Sequence, residues 1–174
     1  AWAVSRIASM LHHFPDEARD RCRQVLQYLR WSIHFGMVYS YQDGASGIDL
    51  WTDASLAPTG DKSHQGILIL FGNNVLAWNT GRQSLVAMSS AEAELIAAVS
   101  GAQLGSSLHT HLQEWLSKEL RVYLYCDNSA VVSIVGSGAS STARTRHLAM
   151  RAAFLHALHT EESTPFGFQY VDTK

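Results

Sequence analysis

Hydrophobic residues in the first forty positions recur at the spacing of an α-helix. The clearest pattern covers residues 16–35, where Pro15 and two acidic residues mark a helix start and the apolar side chains form a single stripe. A weaker helical pattern covers residues 2–13. The stripe of the second helix comprises Ala18, Cys22, Val25, Leu26, Leu29 and Ile33. We expect this stripe to pack on the rest of the chain or on a neighbouring part of a longer protein, since apolar surface is seldom left exposed.

After the turn-rich residues 41–47, the apolar pattern changes from helical to alternating. Ser89 and Glu92 then form a capping box at the start of a second helical region. This part of the chain is predicted to contain strands at 48–54, 67–71 and 75–78, a long helix at 89–116, a strand at 122–127, a short helix, a helix at 142–160 and a strand at 166–171. The pattern therefore predicts an α/β domain that follows an N-terminal helical appendage.

The order of these elements constrains the topology of the sheet. The first three strands are joined by short turns and form an antiparallel meander, and the long helix is then a crossover to a parallel strand. We expect a mixed five-stranded sheet flanked by helices, with the strand at 122–127 beside the strand at 48–54. The predicted organisation is a helical appendage at 1–40, a linker at 41–47 and an α/β domain at 48–174.

Three acidic residues should meet at one edge of this sheet. Asp53 and Asp127 fall at the ends of two neighbouring strands, and Glu94 lies early in the crossover helix, followed by small residues that would let the helix approach the sheet. Three carboxylates at close range repel one another unless a cation neutralises them. Oxygen ligands suit Mg²⁺ or Mn²⁺, and two such ions can support phosphodiester hydrolysis. The alternative is that Asp53 only starts a turn and Asp127 only caps a short helix. Glu92, the other acid at the start of the long helix, is assigned to the capping box and not to the metal site.

Composition adds limits on the class of protein. The 174 residues are 47% hydrophobic and 16% charged, which favours a packed domain over disorder. No apolar run approaches the roughly 20 residues of a membrane span, and no secretory leader is visible. Cys22 and Cys126 have no metal-ligand spacing and are interpreted as buried thiols in a reducing compartment. We therefore expect an intracellular protein, in the cytoplasm, a virus-like particle or the nucleus, that is not secreted.

Charge is unevenly distributed along the chain. The net charge is −2, which does not by itself predict nucleic-acid binding. The stretch at 140–160 nevertheless has basic residues and no acidic one, and it is either a nucleic-acid contact or a solvated helix face. Its basic and titratable residues are Arg144, Arg146, His147, Arg151, His156 and His159.

Several motifs resemble the ribonuclease H domain of copia-type LTR retrotransposon polyproteins. The segments that carry the resemblance are LWTDA at 50–54, SSAEAEL at 89–95, LYCDNSA at 124–130 and the basic motif RTRHL at 144–148. Upstream, AVSR at 3–6 and VLQYLR at 25–30 resemble the end of the adjoining reverse transcriptase region. The resemblance therefore spans nearly the whole chain.

The resemblance implies a ribonuclease H-like fold and hydrolysis of the RNA strand of an RNA–DNA hybrid. It implies that Mg²⁺, with Mn²⁺ as a substitute, binds as two ions in the full site, and that the reverse transcriptase domain of the same polyprotein is a partner. The implied catalytic and metal-binding residues are Asp53, Glu94 and Asp127, and the implied nucleic-acid contacts are Asn128, Arg144, Arg146 and His147. Ala149 departs from the family, which usually has Asp there.

The family's fourth metal carboxylate belongs on a helix after the last strand. We expect it beyond Lys174, so the domain should be truncated before that helix and the chain should be a fragment. A catalytically weak or inert hybrid-binding or connection module of the same polyprotein is therefore the alternative function. An integrase or transposase is disfavoured because its acids follow the order Asp, Asp, Glu.

Overall fold

The computed structural model describes residues 2–42, 44–57, 61–138, 146–161 and 165–172, with only the backbone described at 146 and 147. It contains five strands: β1 (Gly47–Ser55), β2 (His64–Phe71), β3 (Asn74–Arg82), β4 (Arg121–Cys126) and β5 (Phe166–Tyr170). Its helices are α1 (Trp2–Met10), α2 (Pro15–Trp31), α3 (Ser90–Leu116), α4 (Ser129–Ser137) and α5 (Arg146–Thr160). The predicted positions 142–145 of the last helix lie outside the described residues.

The five strands form one mixed sheet in the order β3-β2-β1-β4-β5. β1 pairs antiparallel with β2, and β2 pairs antiparallel with β3. β4 runs parallel to both β1 and β5. The predicted meander and crossover are therefore confirmed, and the fold is ribonuclease H-like.

The β2–β3 hairpin turns at Gly72 and Asn73, both of which have positive φ angles of 53° and 63°. A two-residue turn with two positive φ angles matches the right-handed twist of the strands, and Gly and Asn are the residues that adopt it most readily. This local preference brings β3 back beside β2.

The main core lies between the sheet and α3. Ile48 and Leu50 of β1, together with Val122 and Leu124 of β4, are buried in it. The helix approaches closely because it carries glycine where it crosses β1: a Cβ at Gly101 would lie 2.6 Å from Cγ2 of Thr52. The small-residue stripe predicted after Glu94 therefore brings α3 against the strand that carries Asp53.

The N-terminal helices leave most of the predicted apolar stripe uncovered within the described residues. α1 packs against α2 and β3 and buries Ile7, but Ala18 is the one buried residue of α2. Other members of the predicted stripe are exposed, with Leu26 64% exposed and Leu29 54% exposed. The rest of the chain therefore covers only part of the predicted stripe, and a neighbouring part of a longer protein stays the other predicted partner.

Two further details of this region differ from the sequence prediction. α2 ends at Trp31, so Ile33 lies beyond it and is exposed. Of the two cysteines, Cys126 is buried as predicted, whereas Cys22 is exposed because it belongs to the uncovered stripe. None of the helices within the described residues is long and apolar enough to cross a membrane.

Candidate metal centre

The parallel pairing of β1 and β4 brings two acidic residues to the same edge of the sheet. Thr52 pairs with Cys126, and an aspartate follows each of these residues. Asp127 comes directly after the last residue of β4, whereas β1 continues for two residues past Asp53. The register therefore places Asp53 and Asp127 at equivalent positions of neighbouring strands.

The start of α3 fixes the third acid. The side chain of Ser89 caps the helix by accepting a 3.1 Å hydrogen bond from the backbone N–H of Glu92. The Glu92 carboxylate in turn accepts a 2.8 Å hydrogen bond from the N–H of Met88. This confirms Glu92 as a capping residue. Two positions later, Glu94 enters the buried interface with the sheet, where its Oε1 accepts a 3.1 Å hydrogen bond from the N–H of Ala54.

Glu94 is in an environment that disfavours its negative charge. The residue is 5% exposed, and its second carboxylate oxygen, Oε2, is buried without a hydrogen-bond partner. Burial raises the pKa of Glu94 to about 7; the hydrogen bond from Ala54 opposes this shift, and the charges of Asp127 and Asp53 add to it. An orphaned carboxylate oxygen beside two other acids is the donor set that a hard divalent cation binds. The residues present therefore fit such an ion.

One group of three potential metal ligands occurs among the residues that the structure describes. It consists of Glu94, Cys126 and Asp127, whose ligand atoms all lie within 4.8 Å of one another. Asp53 is exposed and is not a member of this group, although its charge acts on Glu94. The structure therefore brings Glu94 and Asp127 together and leaves Asp53 at the rim.

Cys126 belongs to this group although it was not predicted as a metal ligand from the sequence. Burial, together with the nearby carboxylates, raises the pKa of its thiol to about 11 against the effect of a backbone hydrogen bond at Asn128. Alternation along β4 was the available signal, because Val122, Leu124 and Cys126 share the buried face that α3 covers.

The predicted nucleic-acid contacts are only partly described. Asn128 caps α4, and its Oδ1 accepts hydrogen bonds from the N–H groups of Ala130 at 3.0 Å and Val131 at 3.4 Å. Arg144 lies outside the described residues, as do the side chains of Arg146 and His147. The predicted role of these residues in nucleic-acid binding therefore stays a prediction.

Two histidines of the basic stretch have partners within the fold. Nδ1 of His156 lies 2.6 Å from the carbonyl oxygen of Val135, which joins α5 to α4. His159 packs edge-on against Phe168, with 5.6 Å between the ring centroids. These two side chains are accounted for by packing, so the basic stretch is not uniformly a solvated face.

An open cleft of about 690 Å³ runs along the sheet face beside the acids. Asp53 and Asp127 line it together with Trp51 and Tyr125. These two aromatic rings stack at 4.4 Å, and the Tyr125 hydroxyl donates a 3.2 Å hydrogen bond to Asp49. The aspartates therefore lie at the end of a rigid aromatic surface.

Sequence comparison finds relatives among transposon polyproteins. The chain is 27% identical over 165 residues to the retrovirus-related Pol polyprotein from transposon TNT 1-94 of Nicotiana tabacum, covering 94% of this chain and 12% of that protein. It is 25% identical over 162 residues to the corresponding polyprotein from transposon RE1 of Arabidopsis thaliana, covering 89% and 11%. The chain is a homologue of retrotransposon Pol polyproteins. It spans about an eighth of the length of these curated relatives, and no protein-family model matches it.

Structure comparison independently finds ribonucleases H among the solved structures of similar fold. Ribonuclease H1 from Halobacterium salinarum superposes with a TM-score of 0.53 at 12% identity, covering 74% of this chain and 87% of that one. LC11 ribonuclease H1, solved in complex with an RNA/DNA hybrid, superposes with a TM-score of 0.52 at 15% identity, covering 72% and 86%. At these identities the likeness establishes the fold alone.

Proposed function

We propose that this segment is the ribonuclease H domain of a copia-type LTR retrotransposon polyprotein and hydrolyses the RNA strand of RNA–DNA hybrids. The observation that carries the proposal is the meeting of Glu94 and Asp127 beside Asp53, with one buried oxygen of Glu94 left without a partner. The ribonuclease H-like fold and the Pol polyprotein relatives support it. Under this proposal the domain works inside the cell, next to the reverse transcriptase region of the same polyprotein.

Asp53, Glu94 and Asp127 are the proposed ligands of Mg²⁺, or of Mn²⁺ in its place. When bound, such ions lower the pKa of a coordinated water and neutralise charge on the scissile phosphate. The chain's own contribution is positional: the Ala54 N–H fixes one oxygen of Glu94 and leaves the other available. Two ions are expected in the full site, and by resemblance we propose the fourth carboxylate beyond Lys174.

The proposed substrate contacts are mainly to the nucleic-acid backbone. Asn128 is close to the acids, and Arg144, Arg146 and His147 are the proposed phosphate contacts of the basic motif. Contacts to phosphate and sugar carry little sequence information, so we expect weak sequence preference. Contacts to the 2′-hydroxyls of the RNA strand would distinguish a hybrid from duplex DNA.

A strand-labelled cleavage assay tests this function. A hybrid labelled on either strand is incubated with the chain and Mg²⁺ or Mn²⁺, beside duplex RNA, duplex DNA and a chelator control. We expect cuts in the RNA strand of the hybrid, no cuts in duplex DNA, and no activity with chelator. Binding of the hybrid without cleavage in either metal would instead support the alternative of an inert hybrid-binding or connection module.

A further inference from the structure

The carboxylate cluster contains one donor that a magnesium site does not need. The buried thiol of Cys126 lies within 4.8 Å of ligand atoms of both Glu94 and Asp127. Magnesium and manganese prefer oxygen, whereas thiolate sulfur selects softer ions, of which Zn²⁺ is the common biological example. The same three residues therefore present a mixed oxygen and sulfur donor set.

The spacing of this donor set suits a single small ion. Zinc binds sulfur at about 2.3 Å and carboxylate oxygen at about 2.0–2.2 Å, so two donors of one tetrahedral ion lie about 3.5 Å apart. The three atoms are within 4.8 Å of one another, so side-chain movements of about 1 Å would bring them to that spacing. Three protein ligands with a fourth position open to water is a common zinc arrangement.

A second observation points to a ligand at this position. Glu94 is 95% buried, and its Oε2 has no hydrogen-bond partner. A buried carboxylate oxygen without a partner is costly in an empty site and becomes favourable when a cation occupies it. A carboxylate oxygen of Glu94, the Cys126 thiol and Asp127 are near enough to share that cation.

We propose that Cys126, Glu94 and Asp127 together bind thiophilic divalent cations such as Zn²⁺, and that such an ion competes with Mg²⁺ at the catalytic edge. This inference rests on the proposed carboxylate metal site. On binding, the S–H bond of Cys126 is replaced by a metal–sulfur bond and the proton passes to solvent; no oxidation or reduction is involved. The bound ion would inhibit hydrolysis because it occupies the carboxylates in a different geometry.

Cadmium provides a direct probe of the sulfur ligand. Cd²⁺ is titrated into the Cys22→Ser chain, in which Cys126 is the one remaining cysteine, without nucleic acid or Mg²⁺. We expect the ultraviolet charge-transfer absorption of a cadmium–thiolate bond, saturating at one ion per chain. In the chain that carries both Cys22→Ser and Cys126→Ser, which has no thiol left, we expect no such absorption. Zn²⁺ affinity in that chain should fall by about tenfold or more, because even losing a group that merely supports a ligand costs about 10–100-fold.

Because Cys126 is buried, Cys126→Ser could abolish metal binding simply by unfolding the chain. A second variant that keeps the thiol avoids this ambiguity. Glu94→Gln in the Cys22→Ser chain should still give the cadmium–thiolate absorption, but only at about tenfold higher Cd²⁺ concentration. The inference is overturned if the Cys22→Ser chain shows no absorption, or if Glu94→Gln leaves the titration unchanged. Since neither measurement involves hydrolysis, failure of the proposed nuclease activity would be seen separately.

Discussion

The backbone N–H of Ala54 donates a 3.1 Å hydrogen bond to Oε1 of Glu94, forty residues further along the chain. This contact ties the end of β1 to the first turns of α3 and fixes one oxygen of the buried acid. It forms only because α3 approaches β1 closely, and Gly101 is the residue that permits this approach. Site geometry and helix packing are therefore coupled.

Gly101→Ala should destabilise the fold although alanine is the better helix former. The added Cβ would lie 2.6 Å from Cγ2 of Thr52, and overpacking of this kind costs about 1–3 kcal/mol, which exceeds the gain in helix propensity of about 1 kcal/mol. Gly136→Ala in α4 is the matched control, because its Cβ would meet nothing within 4 Å and should be neutral or stabilising. Urea unfolding compares the two; equal effects would show that α3 does not pack as described.

Glu94 should make the stability of the metal-free chain depend on pH. The pKa of Glu94 is about 7 in the fold against an ordinary value of 4.5, so between these values the folded chain binds more protons than the unfolded chain. The free energy of unfolding should therefore fall as pH rises through this window, by up to about 2 kcal/mol.

Urea unfolding at pH 5 and pH 8 in a chelator measures this effect. Glu94→Gln should remove most of the difference between the two pH values, whereas Glu114→Gln, at an exposed position of the same helix, should leave it unchanged. A Glu94→Gln chain with the full pH dependence would show that other groups cause it.

Much of the fold could be predicted from local patterns. The hairpin at Gly72 and Asn73, the capping by Ser89 and the parallel return of β4 each follow from short-range signals or from handedness rules. The small-residue stripe of α3 also indicated which helix face meets the sheet. These features depend on the spacing of residues along the chain, which can be read from the sequence itself.

What covers a surface, and which atoms converge, was harder to predict. Periodicity gave the apolar face of α2 but could not show that nothing in the described chain covers Leu26. Asp53 and Glu94 were expected at one edge of the sheet; Asp53 lies at the exposed rim of that edge, where its charge still acts on Glu94. Alternation along β4 turns Cys126 toward α3 and into the group with Glu94.

The two N-terminal helices should differ in how their apolar residues affect stability. Ile7 of α1 is 9% exposed, so Ile7→Ala should cost about 2 kcal/mol or more. Leu26 of α2 is largely exposed, so Leu26→Ala should change the free energy of unfolding by no more than about 0.5 kcal/mol. Both are measured by urea unfolding at low protein concentration; a large cost at Leu26 would mean that the stripe is covered in solution.

Arg144 and Arg146 should contribute to hybrid binding through phosphate contacts. A plot of log affinity against log salt concentration has a negative slope. If each arginine neutralises one phosphate, Arg144→Ala or Arg146→Ala should make that slope less steep by about one unit. Binding of several hybrid sequences should weaken in proportion. Fluorescence anisotropy across a salt series measures this, with Arg19→Ala on α2 as a control of equal charge. An unchanged slope would remove the basic motif from the interface.

The cleavage of an RNA–DNA hybrid by the Asp127→Asn chain tests the central claim most directly. The unmodified chain should cut the RNA strand in Mg²⁺ or Mn²⁺, and Asp127→Asn should lower the rate by at least about a hundredfold because it removes a proposed metal ligand. Its far-ultraviolet circular dichroism should be unchanged. Asp49→Asn, an acid on β1 outside the cluster, should retain activity. Full activity in the Asp127→Asn chain would contradict the proposed metal site.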